Sequence, residues 1–193
     1  MADWSSDVAI CNGALGLLGA ERIVAIDDTT DQGSLCLLFY EQARDATMAA
    51  YPWNFAVARK NLGAKLSGAN APLYDWAYAY QLPRTANDFC LRVLELEGND
   101  PYRVEGSRLL TDATTAYIKY IKRIIGPSDW SPLFKNAMAA HLAMLLAMPI
   151  TKSASMMQAM AQLYEARLSE AYSVDTQEGT PDLIDSNEII DVR

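Results

Sequence analysis

Tyr51-Pro52-Trp53-Asn54-Phe55 is the stretch whose reading decides the fold. A residue before proline is pushed out of the helical region, so a helix running up to Ala50 must stop at Tyr51. Large aromatic rings beside a proline are costly to leave in water, since each can bury roughly 150–250 Å². The segment therefore reads as fixed against a core or another chain, and its plain form is a satellite cluster under a loop. A second aromatic group follows in Trp76-Ala77-Tyr78-Ala79-Tyr80-Gln81-Leu82-Pro83. Trp53, Phe55 and Trp76 are the structural aromatics expected of this middle region.

Upstream the pattern is helical. Ser5-Ser6-Asp7 offers a hydroxyl cap and a first-turn acid. Val8, Cys11, Leu15 and Leu18 then recur at spacings of three and four. Gly19 reads as the stop of this first helix. Gly13 and Gly16 weaken it, by up to about 1 kcal/mol each relative to alanine, and read as a close approach to another helix. No Gly-Lys-Ser/Thr phosphate loop is present. Asp27-Asp28-Thr29-Thr30-Asp31 is a turn and cap cluster. A second helix is expected over residues 32–50, burying Cys36, Phe39, Ala43, Ala46 and Ala50.

Downstream the segments become short, aromatic and β-branched, with Gly, Pro, Asn and Asp between them. Strands are expected over residues 55–59, 77–81, 91–96, 102–105, 108–111 and 115–123, with a turn at Gly98-Asn99-Asp100. The last of these alternates with charges on both faces and reads as an exposed ribbon. Helix resumes at Ser131-Pro132, cap and first position. Its stripe is Leu133, Ala137, Ala140, Met144 and Met148. Leu142 and Leu145 widen it until the helix is apolar nearly all round, so it should be central, and Pro149 should end it. A fourth helix begins at Ser153 or Ser155, with Met157, Met160, Tyr164, Leu168 and Ala171 on one face. The fold expected is mainly α: a four-helix bundle (residues 1–54 and 126–175) with a projecting β-rich insertion (55–125) and an acidic C-terminal tail (176–193).

Composition narrows the function. At 193 residues the chain is one domain, or one domain with an insertion, and can bury roughly 70% of its unfolded surface. The net charge of −8 argues against an autonomous nucleic-acid binder. From Tyr172 to Arg193 six acids face one base, a net of −5, so most of the acidity lies in the tail. Cys11, Cys36 and Cys90 are odd in number and lack ligand spacing. With His141 as the one histidine, no metal or cofactor is expected. Three free thiols suit a reducing compartment. The start, Met1-Ala2-Asp3-Trp4, lacks a signal-peptide pattern, and the apolar run at residues 137–148 is short for a bilayer. The expectation is a soluble protein made in the cytoplasm, with no membrane partner.

Several segments together carry a resemblance. Ala14-Leu15-Gly16-Leu17-Leu18-Gly19-Ala20, the Tyr51–Ala56 run, the Trp76–Pro83 stretch, Cys90-Leu91-Arg92-Val93, Tyr102-Arg103-Val104-Glu105-Gly106, Leu109-Leu110-Thr111-Asp112 and Phe134-Lys135-Asn136-Ala137-Met138-Ala139 resemble the tail tubular protein A family, the head-to-tail adaptors of short-tailed bacteriophages. The resemblance covers about residues 5–175 and rests on the ordered set, not on one motif. It implies a structural, non-enzymatic role in the virion tail, after assembly in the host cytoplasm. The protein would form a twelve-fold homo-oligomeric ring below the portal protein, with the tail nozzle protein beneath and genomic DNA passing through without specific binding. An acidic chain is consistent with a channel wall that does not grip phosphates.

Within that frame Lys119, Lys122 and Arg123 read as channel-facing, or as cations that blunt a strand edge. The contrasting reading is a wall- or capsule-degrading hydrolase carried in the tail, since some members of the family are described as lytic. A glycosidase needs two carboxyl groups flanking the bond, and Glu95, Glu97, Asp100, Glu105 and Asp112 are the candidates; carboxylates at turns are usually solvated surface. His141, inside an apolar helix, reads as a hydrogen-bonded core histidine, and the cysteines as small core residues. In the tail, Leu183, Ile184, Ile189 and Ile190 form two apolar pairs around Asp185-Ser186-Asn187-Glu188 and read as a contact for a neighbouring subunit or the portal.

Overall fold

The computed structural model describes residues 4–27 and 29–178. Leu183, Ile184, Ile189 and Ile190 lie outside the described residues. The architecture is mixed α/β, not mainly α: four helices with a central antiparallel region that forms a half-barrel, plus a small sheet.

The helices start where their caps predict. Ser6 Oγ accepts the Ala9 N–H at 3.2 Å and opens α1 (Asp7–Leu17). Thr30 opens α2 (Asp31–Ala50), Ser131 opens α3 (Pro132–Thr151), and Ser153 opens α4 (Ala154–Gln177). In each the cap hydroxyl accepts from the third residue on. α1 ends on Gly19 at φ +67°. The Gly19 N–H bonds to the Gly16 carbonyl and the Ala20 N–H to the Leu15 carbonyl, the pairing that satisfies a helix end through a left-handed glycine. Gly13 is not a helix–helix contact: a Cβ there would lie 2.5 Å from the Trp4 ring, so the glycine admits an indole.

α3 is the centre. It packs against α1, α2 and α4 and is buried on most of its circumference. It is 20 residues long and apolar enough to cross a membrane, but more than half of it is buried among its neighbours. Pro149 does not end it. A proline removes one N–H and crowds the preceding turn; confined to the last turn, it lets the helix reach Thr151 before Lys152 turns left-handed at φ +52°. The buried face of α2 is rotated from the expected one. Tyr40, Arg44, Thr47 and Met48 are buried beside Cys36 and Ala43, whereas Phe39 is half-buried and Ala46 and Ala50 face water. In α4 Met157 is exposed, and among its described residues only Ala171 and Asp175 are fully buried.

Between α2 and α3 run β1 (Val57–Asn61), β2 (Tyr78–Gln81), β3 (Arg84–Thr85), β4 (Asp88–Leu96), β5 (Tyr102–Glu105), β6 (Arg108–Thr111) and β7 (Tyr117–Lys122). The short β3 had no signature in the sequence. The larger sheet has the order β1-β7-β4-β3, and the smaller one β2-β6-β5; every pair is antiparallel. Two register shifts in β4, between Cys90 and Arg92 and between Val93 and Glu95, add the local twist that curls the sheet.

β7 is not an exposed ribbon. It lies between β1 and β4 and divides two cores. Ile121 packs with the helices, along with the partly buried Val57, Leu91 and Leu94. Ile118 and Tyr120 pack with Tyr80, Leu82, Cys90, Leu96 and Leu109 under the small sheet. The strands therefore share the helical core instead of simply projecting from it.

Candidate functional site

The Tyr51–Phe55 turn is a joint between three elements. Trp53 is fully buried, and its Nε1–H donates to the Thr47 carbonyl at 3.0 Å. Its ring meets Phe134 edge-on at 5.1 Å and stacks near Phe55, itself 5.0 Å from Phe134. Trp76 is different: it is half-buried and belongs to neither core.

The last turn of α4 is latched onto this joint. Both Asp175 carboxylate oxygens accept the Asn54 N–H, at 3.1 and 3.3 Å, while Asn54 Nδ2 donates to the Asp175 carbonyl at 2.7 Å. Desolvation raises the Asp175 pKa, and the Asn54 N–H opposes the rise. Thr176 gives its hydroxyl proton to the Tyr172 carbonyl at 2.6 Å, so in its 2.7 Å contact with Thr176 the Tyr51 hydroxyl is the donor. The rings of Tyr51 and Tyr172 stack at 5.4 Å. The contacts that Tyr51 and Asn54 make with α4 each span 121 positions or more in sequence.

Below the latch the face of the larger sheet opens to solvent. Register places Arg59 and Glu95 on either side of Lys119, and Lys119 Nζ lies 3.7 Å from Glu95. Arg59, Glu95 and Lys119 line both a depression of about 580 Å³ that begins at Asp175 and Thr176 and one of about 430 Å³ that reaches Asn61 and Tyr117. The two form one trough along β1.

The three predicted cations thus have separate surroundings, and none lies on a sheet edge, because β7 is flanked on both sides. Lys119 stands in the trough. Lys122 is beside Asp88, which also accepts from Lys60 and the Tyr120 hydroxyl. Burial works against the Asp88 charge, but those two donors outweigh it and hold its carboxyl below the usual value. Arg123 is turned inward: it pairs with Asp45 of α2 and stacks over Phe89, 3.9 Å from the ring centroid. Asp45 also accepts from Arg44 Nε at 2.9 Å. This charged link ties α2 to the end of β7 and engages the Arg123 guanidinium.

His141 is held in the core. Thr47 Oγ1 lies 2.7 Å from both the Ala43 carbonyl and His141 Nδ1. The carbonyl can only accept, so the hydroxyl proton goes there and Nδ1–H donates to the hydroxyl. The ring stacks on Tyr164 at 4.4 Å, and burial lowers its pKa from the ordinary 6.5. The unfolded chain then binds the proton more tightly, so stability rises with pH through this window. The contribution is complete above about pH 6.5 and is lost as pH falls through the lowered value. Denaturation midpoints at about pH 7.5 and pH 5.5 should therefore drop more in the wild type than in His141→Gln. Equal drops would remove the histidine from the account.

The hydrolase candidates are scattered. Glu97, Asp100 and Asp112 rim one open depression of about 530 Å³, but all three are exposed. Asp112 accepts the Ala77 N–H at 2.8 Å, Glu95 pairs with Lys119 and Glu105 with Arg103. The three cysteines are free and buried, and burial pushes the Cys90 thiol up to about 11. Among the described residues no three histidine, cysteine or carboxylate groups converge to hold a metal ion.

One surface feature stands apart. In the loop before β2, Leu73 is 94% exposed and Tyr74 77%, next to Asp75 at φ +68°. No protein-family model and no curated protein matches the chain.

Proposed function

We propose that this chain is a structural head-to-tail adaptor of a short-tailed bacteriophage. Twelve copies would ring the genome exit, with the portal protein above and the tail nozzle below. In this reading the four helices act as the bundle that forms the ring's body, and the half-barrel carries the contact loops. DNA would pass without being held, and the subunit would assemble in the host cytoplasm and remain in the virion tail. It would work without a cofactor, a membrane or a reaction.

The ordered resemblance supports this reading. The observation that carries it in the fold is the Pro72-Leu73-Tyr74 loop, whose two large apolar side chains face water in the lone chain. Large apolar groups left out on a rigid scaffold suit burial against another subunit. Their removal should therefore act on assembly and not on folding.

The test is to mix the isolated protein with its portal. Light scattering should show a monomer of 21.3 kDa before mixing, and electron microscopy should show twelve-fold rings on the portal afterwards. Leu73→Asp with Tyr74→Asp should leave the melting temperature unchanged and reduce ring occupancy severalfold. Portals that stay bare after mixing with wild-type protein would overturn the assignment.

A further inference from the structure

We infer that in the unassembled protein the segment after α4, residues 180–193, lies in the trough along β1 of its own molecule. The structure places the last turn of α4 at the trough's mouth. Asp175 and Thr176, in the last turn of α4, line the upper depression, and the Asn54 and Tyr51 bonds fix that turn beside the start of β1. Chain leaving Glu178 therefore emerges next to the trough.

The trough suits that segment in three ways. First, β1 is an edge strand. Past Val57, whose N–H goes to Trp53, its backbone groups on the outer side bond to none of the described residues. Such an edge is a template for another extended segment, and soluble proteins usually cover it. Second, Arg59 is exposed and has no ion pair among the described residues, while Lys119 is only loosely engaged by Glu95. The segment brings Asp182, Asp185, Glu188 and Asp191 against one base. Third, the trough has apolar footing in Val57, Leu94 and the 45% exposed Tyr117, and the segment has the aliphatic pairs Leu183-Ile184 and Ile189-Ile190.

Reach favours the same molecule. An extended chain advances about 3.3 Å per residue, so about five residues match the length of β1. A segment tethered at the mouth sees its site at a high effective concentration, which a second copy in dilute solution does not match. The occupancy covers an open edge until assembly offers another partner. This inference concerns the lone chain and does not rest on the ring proposal: a protein that never rings a portal could still show it.

Amide hydrogen exchange of β1 tests it, comparing the full chain with a chain ending at Glu178. Exchange at Arg59 and Asn61, whose N–H groups face the open side of β1, should be about tenfold slower in the full chain, independent of protein concentration, and the difference should shrink in high salt. Arg59→Glu in the full chain should accelerate the same amides while those of α3 stay protected, which serves also if the shortened chain folds poorly. Equal β1 exchange in the full chain, the shortened chain and Arg59→Glu would overturn the inference. Slowing that appears only as concentration rises would also overturn it, because the occupant would then be a second copy.

Discussion

Trp53→Ala should lower the unfolding free energy by about 3–5 kcal/mol, the range for truncating a fully buried large aromatic. Trp53 has no exposed surface, and its ring touches Tyr51, Phe55 and Phe134. Its Nε1–H holds the Thr47 carbonyl near the end of α2. The alanine variant would leave a cavity where α2, α3 and the first strand meet, and would also loosen the Asn54–Asp175 latch one residue away. Trp4→Ala should cost far less, about 1 kcal/mol, because Trp4 is only partly buried and lies over Gly13 at the rim of α1. Urea denaturation of the two variants compares them directly. Coincident midpoints would show that the joint does not bear on stability as its packing implies.

The second large effect is expected at Asp45. Asp45→Ala should cost about 2 kcal/mol, between the loss of an exposed pair and the breaking of a buried one, since the side chains of Asp45 and Arg123 are each 24% exposed. The carboxylate stands between Arg44, whose side chain is 4% exposed, and Arg123, which is held against Phe89 with its Nε unpartnered. Remove it and two guanidinium groups face each other without the carboxylate between them. Among the described residues Arg44 would keep only Glu41 at 3.8 Å, and that carboxylate is largely exposed. Glu41→Ala should accordingly change stability by no more than about 0.5 kcal/mol. Replacing Asp45 and Arg123 together by apolar residues of similar size should recover much of the loss, since the desolvation of both charges disappears with them. A double-mutant cycle reads the coupling. Equal effects of Asp45→Ala and Glu41→Ala would mean that the link between α2 and β7 carries no net energy.

Local chemistry made much of the chain legible. Ser6, Ser131 and Ser153 announce helix starts because a side-chain oxygen there satisfies an otherwise unpaired N–H. Gly19 announces a stop because it alone adopts φ +67° without strain. The strands over residues 102–105 and 108–111 appear with the bounds their alternation predicts. Trp53 is buried in the helical core with Phe55 packed against it, and α3 is the central helix.

The errors share a cause. Alternation in β7 shows that its two faces differ, but not that each face meets its own core, because those partners lie in helices and in a second sheet elsewhere in the chain. Arg123 reads as a surface cation until Asp45 and Phe89 arrive from distant segments. The rotation of the α2 face is also decided at a distance, since Thr47 is buried against His141 of α3. Arg59 and Asp175 have no motif at all; the trough exists because strand register sets Arg59 beside Lys119, and because α4 ends at Asn54.

By itself the sequence determined where the helices begin, that α3 lies at the centre, and that the acidity gathers near the C-terminus. These follow from caps, periodicity and charge counts within a few residues of each other. Tertiary structure alone decided that β7 is an interior wall, that Arg123 pairs with Asp45, and that α4 ends beside the start of β1. Each of those depends on free energy shared by groups far apart in sequence, and no local pattern encodes such a partner.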